Sequence, residues 1–393
     1  MRPAGVPGPL HVSGPADEFS SYASWLPFPF TFPLDGLRMG CMRMEALGRE
    51  MGLENLWLLL SCWAPEHGAT LPTCTFKTLE AAGVMMRVTS QTDRTLIVSS
   101  AGNAGAAVLE FGASHATPAI VIVPESARRM MMVSGEPDPA GQLLVCLERA
   151  TYPDAIRLVG RIVERFGDAL VREGGAYNVA RRDAMAVPVL RAVQEIGRVP
   201  DHYVQAVGSG TGGIAAWEAV MRLGETMRLH LVQNTPFTPM VDAWERGERA
   251  VEVMSPREAY ERLQKTYSTV LANADPPFGV AGGVFDAVTS TGGDMIAVSN
   301  DEARGANALI ERHAAIEPFP ETGVAAAGLA RQVERGRIGA HDVVLLHATG
   351  GGLERSIRDL GKTPYPVGLT IEPDDVEAAC TAVESYLSRV EPG

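Results

Sequence analysis

The sequence predicts the open α/β class. Short apolar runs alternate with helix-like stretches along most of the chain, and twice such a run passes through a glycine-rich turn straight into a helix. The runs are apolar at nearly every position, as strands buried on both faces of a parallel sheet are. With 393 residues the chain is long enough for two domains with cores of their own.

Taken in order, residues 1 to about 17 form a Pro/Gly-rich lead-in, and Tyr22–Phe28 is an aromatic and proline segment expected to pack as an irregular arm. Asn55–Ser61 reads as a buried strand. A polar stretch, Leu71 to Phe76, then ends in Lys77, and a helical run from Leu79 to Met86 follows. Thr95–Ser99 is a strand, Ser100–Gly105 a tight loop, Ala106–Gly112 a helix and Ala119–Pro124 a second strand. Leu143–Glu148 reads as a third strand, Tyr152–Gly167 and Pro188–Gly197 as helices. The next unit is Tyr203–Val207 (strand), Gly208–Gly213 (loop), Ile214–Leu223 (helix) and Leu229–Gln233 (strand). Asp294–Val298 and Asp342–His347 complete the strands, and the last runs into Ala348-Thr349-Gly350-Gly351-Gly352.

A net charge of −13 argues against a nucleic-acid groove or a polybasic membrane patch, while leaving room for a local site for a small anion. The five cysteines, Cys41, Cys62, Cys74, Cys146 and Cys380, form no CxxC pair, which argues against a disulfide framework and a zinc ribbon. His115, His230, His313, His341 and His347 lack ligand spacing, so no metal site is expected. With no apolar signal core and no run of membrane-spanning length, the expected location is the cytoplasm.

Lys77 is oddly placed, because a helix N-terminus disfavours a cation and favours an anion. A lone lysine there is ordinarily a solvated surface residue. The alternative is an amine whose chemistry profits from a depressed pKa, a Schiff-base lysine on an aldehyde cofactor. Gly208-Ser209-Gly210-Thr211-Gly212-Gly213 has the strand–loop–helix setting that cradles a phosphate on free N–H groups. Its glycines also match GxGxxG, but the stretch lies mid-chain, and the following strand ends in Gln233-Asn234-Thr235 with no acid for a ribose. A plain structural turn remains open as well. Ser100-Ala101-Gly102-Asn103 has the same setting and suits a carboxylate, with Asn103 offering an amide, though an ordinary helix start explains it equally. Thr349 closes a strand with a hydroxyl, uninformative alone. Arg181 and Arg182 would normally be a solvated face.

Together, Thr75-Phe76-Lys77, Ser100–Asn103, Gly208–Gly212, Ile316-Glu317-Pro318 with Ala325–Leu329, and Thr349–Gly352 resemble the fold-type II pyridoxal-phosphate enzymes, in the threonine synthase group. The resemblance covers about residues 20 to 370. Trp25-Leu26-Pro27, Thr73–Ala81 and Gly174–Asp183 resemble more narrowly the cysteate synthase family, relatives of threonine synthase that join phosphoserine and sulfite. Threonine synthases usually follow the lysine with Asp-Arg, where Thr78-Leu79 stands here.

The resemblance implies two open α/β domains of the tryptophan synthase β-like type with pyridoxal 5'-phosphate between them. The expected division is an N-terminal arm over 1–50, a large cofactor-binding domain over 51–94 and 196–393, and a small domain over 95–195. It implies that Lys77 forms the Schiff base and later moves the substrate Cα proton. Asn103 would bond the cofactor's 3′-oxygen, Gly208, Ser209, Gly210, Thr211 and Gly212 its phosphate, and Thr349 its ring nitrogen. Ser100, Ala101 and Gly102, with Asn103, would hold the amino-acid carboxylate; Ala104 departs from the family's usual threonine there, so that either backbone N–H groups do it or the substrate differs. The implied reaction replaces the phosphate of O-phosphoserine by sulfite. Both are anions, so cations near the β-carbon are required, and Arg181 and Arg182 are the candidates. A hydroxyl rather than a carboxylate at the ring nitrogen suits β-elimination. A homodimer is expected, with phosphorylated amino acid and sulfite as small-molecule partners and neither nucleic acid nor membrane. A threonine synthase-like γ-replacement, another nucleophile such as sulfide or water, and a nucleotide-binding dehydrogenase or non-enzymatic binder are the competing classes.

Overall fold

A computed structural model describes residues 14–15 and 18–390. The described chain divides into two compact units. The first takes residues up to Pro27, Leu34–Phe76 and Arg182–Leu353; the second takes Phe28–Pro33, Lys77–Arg181 and everything from Glu354 on.

The first unit is built on a six-stranded sheet in the order Gly40–Arg43, Asn55–Leu60, Val343–Ala348, His202–Ala206, Arg228–Asn234, Asp294–Val298. All neighbours pair in parallel except the Gly40–Arg43 edge, which runs antiparallel to Asn55–Leu60. Leu56, Leu58, Val204, Val232, Ile296, Val344 and Leu346 from the strands share a core with Val324, Ala325 and Leu329 of the helix Pro320–Glu334. That helix is rich in small residues because it lies close on the sheet: a side chain at Gly328 would collide with Val232.

The second unit is a five-stranded, all-parallel sheet in the order Leu369–Ile371, Gln142–Leu147, Ala119–Pro124, Thr95–Ser99, Leu170–Arg172. Ile97, Ile120, Val145, Leu158, Ile162, Val383 and Tyr386 join its strands to the helices Tyr152–Phe166 and Val376–Val390 in one core.

The central strands fall within a residue or so of their expected bounds. The domain boundaries do not. Residues 354–390 belong to the second unit, not to the large domain expected over 196–393, because Leu369–Ile371 extends the second sheet and Val376–Val390 covers its core. The helix Lys77–Gln91 also belongs there, and the second break falls between Arg181 and Arg182 rather than at 195. Nor is 1–50 a separate arm: Gly40–Arg43 is a sheet strand, and Phe19, Tyr22 and Met39 are buried in the first unit, while the lead-in at 1–13, 16 and 17 lies outside the described residues. The helix expected to begin at Pro188 begins at Val179 and carries Pro188 inside it. A proline costs a helix one hydrogen bond and a steric conflict, and here the buried Val187, Val189 and Leu190 hold it in place.

Candidate active site

In the second unit the site starts from Lys77, the first residue of the helix Lys77–Gln91. Its side chain is only 15% exposed, and its Nζ donates to Glu80 Oε2 at 2.5 Å, three residues along the same helix. The other oxygen of Glu80 stands 3.2 Å from Arg181 Nε, an ion pair not aligned as a hydrogen bond. Arg181 in turn donates from a terminal nitrogen to Glu173 Oε2 at 2.8 Å. Glu80, Arg181 and Glu173 are all buried. Burial pushes the Lys77 amine below its ordinary pKa, Glu80 raises it again and Arg181 adds to the lowering. For Arg181, burial opposes the charge, yet Glu173 and Glu80 hold its proton above the ordinary range. Tyr152 lies close enough to feel all three; burial pushes its phenol up to about 12, and Arg181 pulls it back.

The Gly174–Asp183 motif has a clear local purpose. Gly174 and Gly175 both take left-handed backbone. Asn178 donates to Glu173 O at 2.6 Å and accepts from Ala180 N–H at 3.0 Å. That is an Asn cap on the helix Val179–Ile196. It brings Arg181, on the first turn, back against Glu173 and Glu80.

The loop Ser100–Gly102 follows the carboxyl end of the strand Thr95–Ser99 and opens the helix Asn103–His115, which packs on the Lys77 helix. Ser100 Oγ accepts from the N–H groups of Gly102 (3.0 Å) and Gly105 (2.9 Å). The hydroxyl is thus an internal brace, and Gly102 N–H is engaged by it. Ala101 and Asn103, both partly exposed, stand at the helix start, where anions are favoured.

In the first unit, Val343–Ala348 and His202–Ala206 are parallel neighbours, so Thr349 and the Gly208 loop emerge at the same edge of the sheet. Ligands of open α/β sheets bind at that edge. Gly210, left-handed at φ 78°, leads into the helix Thr211–Arg222, whose start no side chain caps; Ile214 N–H, bonding Gly210 O at 3.1 Å, is the first to reach back. The N–H groups before it are the free donors of a helix start. Ser209 and Thr211 hydroxyls bond each other at 2.9 Å. The glycine at 212 is forced by packing, since a Cβ there would run into the Gln205 amide and stand 2.9 Å from the Phe76 ring.

That Gln205 amide is oriented by a buried chain of hydrogen bonds. Tyr203 O–H donates to Gln205 Oε1 at 2.9 Å, so His347 Nδ1–H donates to the phenol at 2.7 Å, and His347 Nε2 accepts from Ser61 at 2.8 Å. Burial holds the imidazole neutral, its pKa pushed down to about 3. The carboxamide nitrogen is left facing the glycine loop.

The residues just before Lys77 are fastened to the Thr349 loop. Phe76 N–H donates to Thr349 O at 3.1 Å, Thr75 bridges Gly350, and Gly351 N–H donates to Cys74 O at 2.9 Å. On its other side Gly351 bridges Pro318, and Gly352 N–H donates to Glu317 O at 2.8 Å. A side chain at Gly351 would strike the Glu317 carbonyl, and one at Gly350 the Phe319 ring. Three of the sequence motifs are therefore one set of backbone contacts.

Arg181 and Arg182 do not stand as a pair of open cations. Arg181, expected as a substrate ligand, stands between two carboxylates, Glu80 and Glu173. Arg182 meets Glu218 through Nε at 3.0 Å in the first unit. Glu80, Glu173, Tyr152, Gln205, Tyr203 and Ser61 were not singled out from the sequence. The i, i+3 spacing of Lys77 and Glu80 was the one local signal available.

A family profile described as "Pyridoxal-phosphate dependent enzyme" matches residues 43–350. Among solved structures, maize serine racemase superposes with a TM-score of 0.62 at 12% identity, covering 82% of this chain and 91% of that one. A pyridoxal 5'-phosphate-dependent aspartate racemase gives 0.63 at 13% identity over 81% and 91%. At such identities the likeness speaks for the fold, which together with the profile defines a fold-type II pyridoxal-phosphate enzyme. Among curated relatives, the cysteate synthase of Methanosarcina acetivorans is 40% identical over 363 residues, 90% of this chain and 86% of the relative. That of Methanosphaerula palustris is 41% identical over 393 residues, 95% and 91%. The chain belongs, within the pyridoxal-phosphate dependent enzymes, to the cysteate synthase family.

The residues present fit the cofactor. The glycine loop offers uncapped N–H groups at a helix start in a cradle where a Cβ at 212 has no room. The enclosed Lys77 offers the amine, its pKa lowered by burial.

Proposed function

We propose that the protein converts O-phospho-L-serine and sulfite to L-cysteate and phosphate. The observation that carries this reading is the match, at about 40% identity over nearly the whole chain, to proteins named for making cysteate. In it, Lys77 holds the cofactor's aldehyde and later takes the proton from the substrate Cα. Gly208, Ser209, Gly210, Thr211 and Gly212 hold the cofactor phosphate, Asn103 meets its 3′-oxygen and Thr349 its ring nitrogen. The bound cofactor supplies the electron withdrawal that makes the Cα proton acidic. The neutral hydroxyl of Thr349 limits that withdrawal, which favours departure of a good leaving group such as phosphate from the β-carbon. Ala101 and Asn103 N–H groups, with Ser100 bracing the loop, hold the amino-acid carboxylate. Arg182, the less buried of the two arginines (18% against 6% exposed), is retained as the candidate cation for the substrate's phosphate or the sulfite. A homodimer in the cytoplasm completes the reading; no helix among the described residues is long and apolar enough to cross a membrane.

The test is to supply purified holoprotein with phosphoserine and sulfite and to follow phosphate release and cysteate. Both products are expected, and both are lost in Lys77→Ala together with the borohydride-trapped cofactor adduct. Turnover of phosphohomoserine with water, with none of phosphoserine with sulfite, would replace this reading by a threonine synthase-like one. Product from sulfide in place of sulfite would change the nucleophile and leave the class.

A further inference from the structure

Lys77, Glu80, Arg181 and Glu173 form a chain of ion pairs, two cations alternating with two anions, in the second unit. The side chains of Glu80, Arg181 and Glu173 are 3%, 6% and 9% exposed, so solvent does little to screen them. In such surroundings charges persist only when balanced. Withdrawing the proton from the Lys77 nitrogen leaves Glu80 and Glu173 facing Arg181 alone, an excess negative charge in a poorly screened place. The set therefore works against loss of that proton.

We propose that Glu80 is a positioning residue for Lys77: its carboxylate anchors the lysine nitrogen and keeps it protonated, while Arg181, itself held by Glu173, keeps Glu80 aimed. This rests on Lys77 being the residue that holds the cofactor, and it assigns Arg181 to the lysine rather than to the substrate. Each oxygen of Glu80 has one cation, so the side chain cannot swing from Lys77 without also breaking with Arg181. Tyr152, on the helix Tyr152–Phe166, is a neutral phenol held high by burial. Arg87, on the lysine's own helix, turns to Asn178 at 3.4 Å. Glu110, on the neighbouring helix, is engaged by Ser134 N–H at 2.9 Å and Lys362 at 3.6 Å. Burial and Arg181 both lower the lysine's proton affinity, and Glu80 is the largest influence raising it.

The experiment is a spectroscopic pH titration of the holoenzyme without substrate. The absorbance of the lysine–cofactor linkage differs between its protonated and unprotonated nitrogen, so the midpoint reports the nitrogen's affinity for its proton. Glu80→Gln should move the midpoint down by about one pH unit or more, a factor of about ten in proton affinity. Glu80→Asp, which keeps the charge but withdraws it by one methylene, should move it the same way by less. Glu195→Gln, which removes an exposed partner of Arg191, should leave it in place. An unmoved midpoint in Glu80→Gln overturns the proposal, and should that variant not fold, an unmoved midpoint in Glu80→Asp does so. If borohydride fails to trap the cofactor on Lys77 of the unmodified protein, the assignment of Lys77 itself falls instead.

Discussion

His347 is a packed histidine whose place in the sequence, close to Thr349, has no bearing on its role. Two positions before Thr349, it is buried between Ser61 and Tyr203, and its ring stays neutral. Its pKa is depressed from 6.5 to about 3, so above pH 6.5 neither folded nor unfolded chain is charged there. Below 6.5 the unfolded chain takes a proton that the folded one refuses, and stability falls by about 1.4 kcal/mol per pH unit until about pH 3. His230 adds to the same loss, its pKa also near 3 through burial and the neighbouring His202. Denaturant unfolding across that range should show it. His347→Gln should be less stable near neutrality but lose less on acidification, and an unchanged slope would mean that the imidazole does not resist protonation. Lys77 was readable as peculiar because a cation at a helix start opposes the dipole. That Arg181 shares Glu80 with it was not readable, since 104 positions separate the two cations and a turn capped by Asn178 brings Arg181 to Glu80.

Among the elements, the strand–glycine loop–helix unit around Gly208 was the most legible, because backbone geometry and the absence of side chains leave a mark in composition. The cause of the glycine at 212 was hidden, for it comes from how the Gln205 amide on the preceding strand and the distant Phe76 ring pack against it. Gly212→Ala should overpack the loop at a cost of about 1–3 kcal/mol. Displacing the loop should raise the dissociation constant of pyridoxal phosphate about tenfold or more, read by titrating apoprotein with the cofactor. Unaltered affinity would show that the loop yields without disturbing its N–H groups. The helix Val179–Ile196 illustrates the opposite case: Pro188 marked a boundary in the sequence that packing overrides, since Val187, Val189 and Leu190 are buried on either side of the ring.

For the molecule as a whole, the two open α/β units were legible and their composition was not. The last described stretch, from Glu354 on, supplies Ile371, Ala379, Cys380, Val383, Tyr386 and Leu387 to the second core. Large buried apolar side chains are worth about 1.5–3 kcal/mol each, so the loss of this group rivals the whole margin of about 5–15 kcal/mol on which a domain stands. A chain ending at Leu353 should leave residues 77–181 open to limited proteolysis, and protection equal to that of the full chain would contradict the division. The kind of fold and the approximate positions of most strands followed from local rules: apolar runs of strand length, helix starts, and glycines where backbones come close. Which strands are neighbours, which arginine shares Glu80 with Lys77, and which unit owns the carboxyl-terminal helix depend on contacts between residues tens to hundreds of positions apart. Such contacts leave no periodic trace, because burial constrains what a side chain is like but says nothing of what it meets.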